Sequence, residues 1–253
     1  MEYTLKKTLG QHFLNDAFII QKIIHCVSDS NTGTNQLLEI GPGAGALTNN
    51  LLQLQDIDFK AVEIDHEKVV YLQKKFPALK EKLFEKDFLQ MEMPFETPFR
   101  IIGNFPYNIS TQILFKILTW KEYVPEMIGM FQKEVALRIA APPGKKIYGI
   151  TSVLMQAFYE VEYLFDIQPE SFTPPPKVMS GMIRLKRRNV FPAMKNETCF
   201  FRLVKAAFNQ RRKMLRNAVK PLFSEVELND ALFNCRAETL SVDEFAQLTF
   251  RMQ

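Results

Sequence analysis

The apolar run Gln36-Leu37-Leu38-Glu39-Ile40 stops at Gly41-Pro42-Gly43-Ala44-Gly45, and an amphipathic stretch from Ala46 to Gln55 follows at once. A strand that ends in clustered glycines and turns directly into a helix leaves few architectures open. Glycine there permits positive φ and lets the backbone approach a ligand. The unit recurs along the chain. Phe59-Lys60-Ala61-Val62-Glu63-Ile64 reads as a second strand followed by a charged helix through Lys75. Lys82–Glu85 is a weak third strand, Phe99–Gly103 a stronger fourth, and Met127–Phe131 a fifth. Strands alternating with helices predict a parallel, doubly wound sheet. Ahead of it, Phe13, Leu14, Phe18, Ile19, Ile23 and Ile24 are spaced for a packed helix.

The pattern changes near residue 185. Pro174-Pro175-Pro176 is incompatible with a helix interior, Val178–Leu185 reads as a last strand, and basic residues follow it. From Thr198 the apolar spacing is helical, through Phe200, Leu203, Val204, Ala207 and Phe208, then Leu222–Phe233 and Val242–Phe250. Two domains are expected, an α/β domain over 1–186 and a helical one over 187–253. There is no internal repeat or low-complexity tract. With 47% hydrophobic and 24% charged residues in 253, the composition is that of a folded globular chain and excludes disorder as the dominant state. Cys26, Cys199 and Cys235 are far apart, and the three histidines are unclustered, so neither a disulfide framework nor a metal site is expected. The N-terminal MEYTLKKTLG lacks the apolar core of a signal peptide, and no uncharged apolar run reaches the ~18 residues of a membrane span. A cytoplasmic protein with no membrane contact is expected.

Read as Gly41-x-Gly43-x-x-Ala46, the glycine turn satisfies a dinucleotide fingerprint. Glu63, about 20 residues on at the end of the second strand, is placed to accept from ribose hydroxyls. Both features fit a nicotinamide dinucleotide or an adenosyl sulfonium. Pro42 favours a ligand that needs no pyrophosphate cradle of successive amides. Asp87-Phe88 follows the third strand, where a carboxylate accepts from an adenine amino group and an aromatic lies against its ring. The bland alternative is a turn-capping Asp87 and a core Phe88.

The string Gly103-Asn104-Phe105-Pro106-Tyr107-Asn108-Ile109-Ser110 ends the fourth strand, on the same carboxyl edge. An exocyclic base amine is a poor nucleophile because its lone pair is delocalised into the ring. Two acceptors holding both N–H groups favour the tetrahedral nitrogen needed for attack. The Asn104 side-chain oxygen and the Phe105 carbonyl supply such a pair, Pro106 fixes the local direction, and Tyr107 offers a face on which a flipped base stacks. An oxidoreductase is compatible with the glycine turn but gives no role to this string.

Ala207–Asn217, AFNQRRKMLRN, concentrates Arg211, Arg212, Lys213 and Arg216, with Lys220 beyond, on what reads as a helix, and no acid interrupts them. Such clusters track phosphates. With this string the chain resembles the KsgA-type rRNA adenine N6,N6-dimethyltransferase family over nearly its whole length. The resemblance is carried by Leu9-Gly10-Gln11-His12-Phe13-Leu14, EIGPGAGALT at 39–48, GNFPYNIS and Gln132-Lys133-Glu134-Val135. Tyr148-Gly149, Phe172-Thr173-Pro174-Pro175-Pro176-Lys177-Val178 and the basic string complete it. It implies a Rossmann-like class I methyltransferase sheet, dependent on S-adenosyl-L-methionine (SAM), with a small all-helical C-terminal domain that binds RNA. It further implies dimethylation of two adjacent adenines in the 3′-terminal helix loop of small-subunit (16S) rRNA during ribosome biogenesis, by a monomer acting on the assembling 30S subunit.

On matching positions the donor would meet Gln11, His12, Leu14, Gly41, Gly43, Glu63, Ile64, Asp87, Phe88 and Asn104. Asn104 and the Phe105 carbonyl would hold the target amine, followed by Pro106, with Tyr107 and Phe172 sandwiching the base. Arg211, Arg212, Lys213 and Arg216 would contact RNA. His12 stands where many members have Asn, and Phe105 where Leu or Ile is more usual. Two rivals are a large-subunit adenine methyltransferase of the antibiotic-resistance type and a ribosome-assembly factor in which methylation is secondary.

Overall fold

The structure, a computed structural model, describes residues 12–253. Gln11 lies outside the described residues. The chain divides into two compact units, one comprising 1–136 and 162–187 and the other 137–161 and 188–253.

In the first unit β1 (Phe13–Leu14) leads into α1 (Ala17–Ser28). The Asp16 carboxylate starts α1 by accepting from the amides of Phe18 and Ile19, and its Ile23, Ile24 and Val27 are buried. Then follow β2 (Gln36–Ile40), α2 (Thr48–Leu51), β3 (Asp58–Glu63), α3 (His66–Lys75), β4 (Leu83–Glu85), β5 (Arg100–Asn104), α4 (Ser110–Thr119) and β6 (Glu126–Gln132). After α5 (Lys133–Ile139) and α6 (Ile150–Phe158) come β7 (Tyr159–Ile167), β8 (Phe172–Thr173) and β9 (Ser180–Arg187). Seven strands form one sheet in the order β4-β3-β2-β5-β6-β9-β7, and β1 pairs with β8 in a separate two-stranded ribbon.

Strands β4, β3, β2, β5 and β6 are parallel neighbours. Their central members are continuous apolar runs because helices cover both faces. The fully parallel sheet expected from the alternation is corrected at its far side. β9 runs antiparallel to β6, with Gln132 opposite Ser180 and Glu126 opposite Lys186. β7, at the sheet edge, has no counterpart in the sequence reading, since Glu160, Glu162 and Asp166 interrupt its apolar positions. Charges of that kind suit an edge strand. The strand order reverses between β2 and β5, so the turn after Ile40 and the loop after Asn104 open side by side at the carboxyl edge, where doubly wound sheets take ligands.

The second unit contains α6, α7 (Glu197–Asn209), α8 (Leu215–Val219), α9 (Glu225–Leu228) and α10 (Val242–Leu248), around a core that includes Phe158, Phe200, Phe233 and Phe245. Its stretch 137–161 is contiguous in sequence with the α/β domain expected over 1–186. α6 packs on α7 and α10, and those contacts assign it to the helical unit. The continuous helix expected over Leu222–Phe233 is broken, because the side chains of Ser224 and Asp230 each cap a new start, accepting from the amides of Glu227 and Leu232. No helix of the described residues is long and apolar enough to cross a membrane.

Candidate functional site

At the switch point lies a cavity of about 240 Å³. Three of the glycines after β2, Gly41, Gly43 and Gly45, have φ of 68°, 58° and 80°, the left-handed region that other residues avoid. This lets the chain turn away from the sheet so that Gly41 and Gly43 border the cavity. Glu63 closes the turn from β3. One carboxylate oxygen accepts from the amide of Gly43 at 3.2 Å, the other from those of Ile64 and Asp65 at 3.0 Å each. Three of roughly four lone-pair positions are thereby used, which fixes the carboxylate facing the cavity with capacity for another donor.

Asp87 enters after β4, and both of its oxygens have local partners, Leu89 N at 2.9 Å and Gln90 Nε2 at 3.1 Å. It caps its turn and also lines the cavity. Phe88 does not. It is 5% exposed and stands edge-on to Trp120, 5.3 Å between centroids, in the core. Leu89 is the apolar wall there. The placement of an aromatic against a ligand ring at Phe88 is therefore corrected: in a tight turn the side chains of 87 and 89 face the opening and that of 88 faces inward.

Glu39 is buried beneath the glycine turn and accepts from Thr48 Oγ1 at 2.6 Å. Desolvation pushes its carboxyl up to about 8, Thr48 opposes the shift and Glu63 adds to it. The cavity thus has three carboxyl groups on one side, Glu39, Glu63 and Asp87. Lys68, from α3, is buried at the same cavity. Nothing in its sequence neighbourhood distinguishes it from the other lysines of a charged helix.

Asn104 ends β5. Its Nδ2 donates to the His12 carbonyl at 3.2 Å, and among the described residues no donor reaches its Oδ1. In the loop that follows, the Pro106 carbonyl accepts from Ile109 N and the Tyr107 carbonyl from Ser110 Oγ. Among the described residues no donor reaches the Phe105 carbonyl that precedes them. The ring of Phe105 is 1% exposed and edge-on to Phe131. It sits over the directly paired Gly103 and Gly129, where any Cβ would come within 2.5 and 2.4 Å of it. The loop is anchored by a ring set into a notch of the sheet, with an unused acceptor on each side of the anchor's Cα.

Tyr107 is half-buried, its hydroxyl 2.6 Å from Ser180 Oγ. The ring beside it is His12, 5.8 Å between centroids and inclined by 28°. His12 Nδ1 donates to the Pro174 carbonyl at 2.8 Å. Phe172, expected on the other side of a base, is 2% exposed and belongs to the core. Its strand β8 is paired with β1, Leu14 opposite Phe172, and the alternation of side chains turns Phe172 inward and Thr173 outward. His12, Leu14, Ile64, Pro106 and Tyr107 do border the cavity.

The basic string is not one helix, since Arg211, Arg212 and Lys213 lie in a turn between two helices while Arg216 sits on the second. α7 ends at Asn209, and Lys213 N bonds the Gln210 carbonyl before α8 begins. Arg212 and Lys213 are exposed, whereas Arg211 lies 3.6 Å from Glu238 and also donates to the Lys146 carbonyl. Arg216 is half-buried.

The profile of the family described as ribosomal RNA adenine dimethylase matches residues 3–252. A protein of Cytophaga hutchinsonii named ribosomal RNA small subunit methyltransferase A is 52% identical over 247 residues, 96% of this chain and 95% of its own length. One of the same name from Bacteroides thetaiotaomicron is 48% identical, covering 98% of this chain and 94% of its own. Among solved structures, a dimethyladenosine transferase from Plasmodium falciparum superposes with a TM-score of 0.77 at 23% identity, covering 94% of this chain and 96% of its own. The 23S rRNA methyltransferase ErmE gives 0.71, also at 23%, over 95% and 99%. These two establish the fold. With the family profile spanning nearly every residue and relatives at about half identity over nearly their full length, this chain belongs to the ribosomal RNA adenine dimethylase family.

Proposed function

We propose that this protein transfers methyl groups from SAM to N6 of two adjacent adenines in the loop of the 3′-terminal helix of small-subunit rRNA. It acts on the assembling small subunit in the cytoplasm and yields N6,N6-dimethyladenosines. Assignment to the small rather than the large subunit rests on the relatives at 52% and 48% identity. The observation that carries the chemistry is the pair of unused acceptors, Asn104 Oδ1 and the Phe105 carbonyl, at the mouth of a cavity whose other side is lined with carboxyl groups.

SAM, when bound, supplies a methyl group already activated on a positively charged sulfur. Glu63 and Asp87 suit a cationic nucleoside, above a Glu39 whose raised carboxyl is largely protonated near neutral pH. Glu63 is placed for ribose hydroxyls, and Ile64 with Leu89 for the flat faces of a purine. Asn104 and the Phe105 carbonyl each accept one N–H of the target amine. Held this way, the nitrogen withdraws its lone pair from the ring and directs it at the methyl carbon. Tyr107 stacks on the base to fix its plane. The proton is lost to water after attack, so the site needs alignment rather than a base. On the other unit, Arg212 and Lys213 face solvent and are the RNA contacts best supported, with Arg211 and Arg216 partly committed to their own unit.

Asn104→Ala tests this reading. SAM binding by calorimetry should stay within a few-fold of the parent, while methylation of small subunits from cells lacking the activity falls by about 100-fold or more, the scale for one transition-state hydrogen bond. Parental turnover in this variant would refute the assignment of Asn104. Label from SAM appearing only in large-subunit RNA would move the substrate to the resistance type.

A further inference from the structure

Ser180 is the first residue of β9 and is fully buried. Because β9 runs against β6, its first residue arrives at the carboxyl edge, opposite Gln132, where a parallel strand would have delivered its last. Two neighbours hold it there. The Met179 carbonyl accepts from Lys133 N at 2.9 Å, and Gly181 is so tightly enclosed that a Cβ would meet Tyr163 Oη at 2.7 Å and Ala136 Cβ at 2.9 Å. The Ser180 hydroxyl lies 2.6 Å from Tyr107 Oη and has no other hydrogen bond among the described residues.

Tyr107 is otherwise the last ring of a loop that has already left the sheet. Its neighbour Phe105 is locked into the glycine notch, but Tyr107 is half-buried, and among the described residues its ring contact is the His12 imidazole. A Tyr ring turns about χ1 and χ2, and a bond at its far end removes both freedoms at once. We propose that Ser180 is a positioning residue for methyl transfer, its hydroxyl holding Tyr107 by the phenol oxygen so that the ring face is presented to the flipped adenine. This rests on the reading of Tyr107 as the stacking ring. Burial pushes the Tyr107 phenol up, so it is a neutral hydrogen-bonding group throughout the working range.

The test is a double-mutant cycle with Ser180→Ala and Tyr107→Phe, the latter keeping the ring and deleting only the oxygen. Methylation of small subunits is measured as kcat and KM, with SAM binding and thermal melting followed in parallel. Each single variant should lose roughly fivefold to tenfold in kcat/KM, the scale of one net hydrogen bond, with SAM affinity unchanged. The double variant should be no worse than either single one, because both delete the same bond. A purely structural role for Ser180 predicts losses that multiply, and that result would overturn the proposal. So would full activity in Tyr107→Phe, which decides the matter even where Ser180→Ala does not fold. Tyr107→Ala separates the two levels of the argument: if removing the ring leaves kcat/KM intact, the stacking reading itself fails, whatever the cycle gives.

Discussion

Replacing Gly129 by Ala should damage this protein in a way that a second, shortening substitution repairs. An ideal Cβ on Gly129 falls 2.4 Å from Phe105 Cε2, 2.8 Å from Met127 Sδ and 2.9 Å from Phe131 Cε2. Overpacking of a filled core is destabilising by about 1–3 kcal/mol, and at about 2–4 °C per kcal/mol for a domain of this size the melting point should drop by about 2–12 °C. Phe105→Leu alone removes the outer ring carbons and leaves a void, for about 1–2 kcal/mol. It also removes the nearest of the three atoms with which the new Cβ collides, and the other two, Met127 Sδ and Phe131 Cε2, are the ends of side chains that can shift into the space it frees. The double variant Gly129→Ala/Phe105→Leu should therefore melt close to Phe105→Leu, with about 1–2 kcal/mol of favourable coupling.

Gly103 provides the internal control. There the Cβ meets Phe105 Cε1 at 2.5 Å but also the Ile40 carbonyl oxygen at 2.7 Å, a backbone atom of the neighbouring strand. Shortening Phe105 cannot move it, so Gly103→Ala should not be rescued. Urea and thermal unfolding of the set, with single-turnover methylation at 25 °C, is the assay. Displacing the ring swings Asn104 and the Phe105 carbonyl, and ~1 Å of misplacement is worth up to about 100-fold in rate. Gly129→Ala should therefore lose much more activity than its residual folded fraction explains. Additive losses in the double variant, or equal rescue at Gly103 and Gly129, would show that the loop is not held by this notch.

Glu39 sets a pH dependence of stability. Its folded value near 8 lies above an ordinary 4.5, so its contribution is complete below about pH 4.5 and is lost as pH rises toward 8. The melting point of Glu39→Gln relative to the parent should accordingly improve between pH 5 and pH 8.5, and parallel curves would contradict it. Arg212→Ala with Lys213→Ala should lower the slope of log affinity for rRNA against log salt by up to about 1.5, measured by filter binding. Arg211→Ala, already engaged by Glu238 and the Lys146 carbonyl, should instead act chiefly on melting.

What the sequence revealed and what it hid divide along physical lines. The glycine turn, Glu63, Asp87 and Asn104 to Tyr107 were legible because each follows a strand and the parallel topology gathers strand ends at one edge. Their chemistry is local, and their positions follow from the order of the strands. β7 carries only a short apolar run, and its signal is the alternation Tyr159-Glu160-Val161-Glu162-Tyr163, the period of a strand with one exposed face. The direction of β9 was hidden because nothing in Ser180–Arg187 encodes which end meets β6; that is settled by pairing alone. The turn at 210–214 was read as helix because arginine and lysine are good helix formers, while Gln210 leaves helical geometry at φ −120° and ψ 46°.

The aromatics show why composition stops short of a site. Phe88, Phe105, Tyr107 and Phe172 all stand beside residues with evident chemistry, and an aromatic in that position is equally suited to a ligand or a core. What separates them is what lies opposite. Phe88 meets Trp120, Phe172 enters the apolar core under β1, and Phe105 drops into space vacated by two paired glycines. Tyr107 alone finds a polar partner for its oxygen while its ring borders the cavity. A phenol is the side chain that can be gripped at one end and still offer a face. Three phenylalanines give the loops their positions through burial. The single tyrosine keeps its ring at the cavity, and the strand that runs backward through the sheet brings the serine bonded to its oxygen.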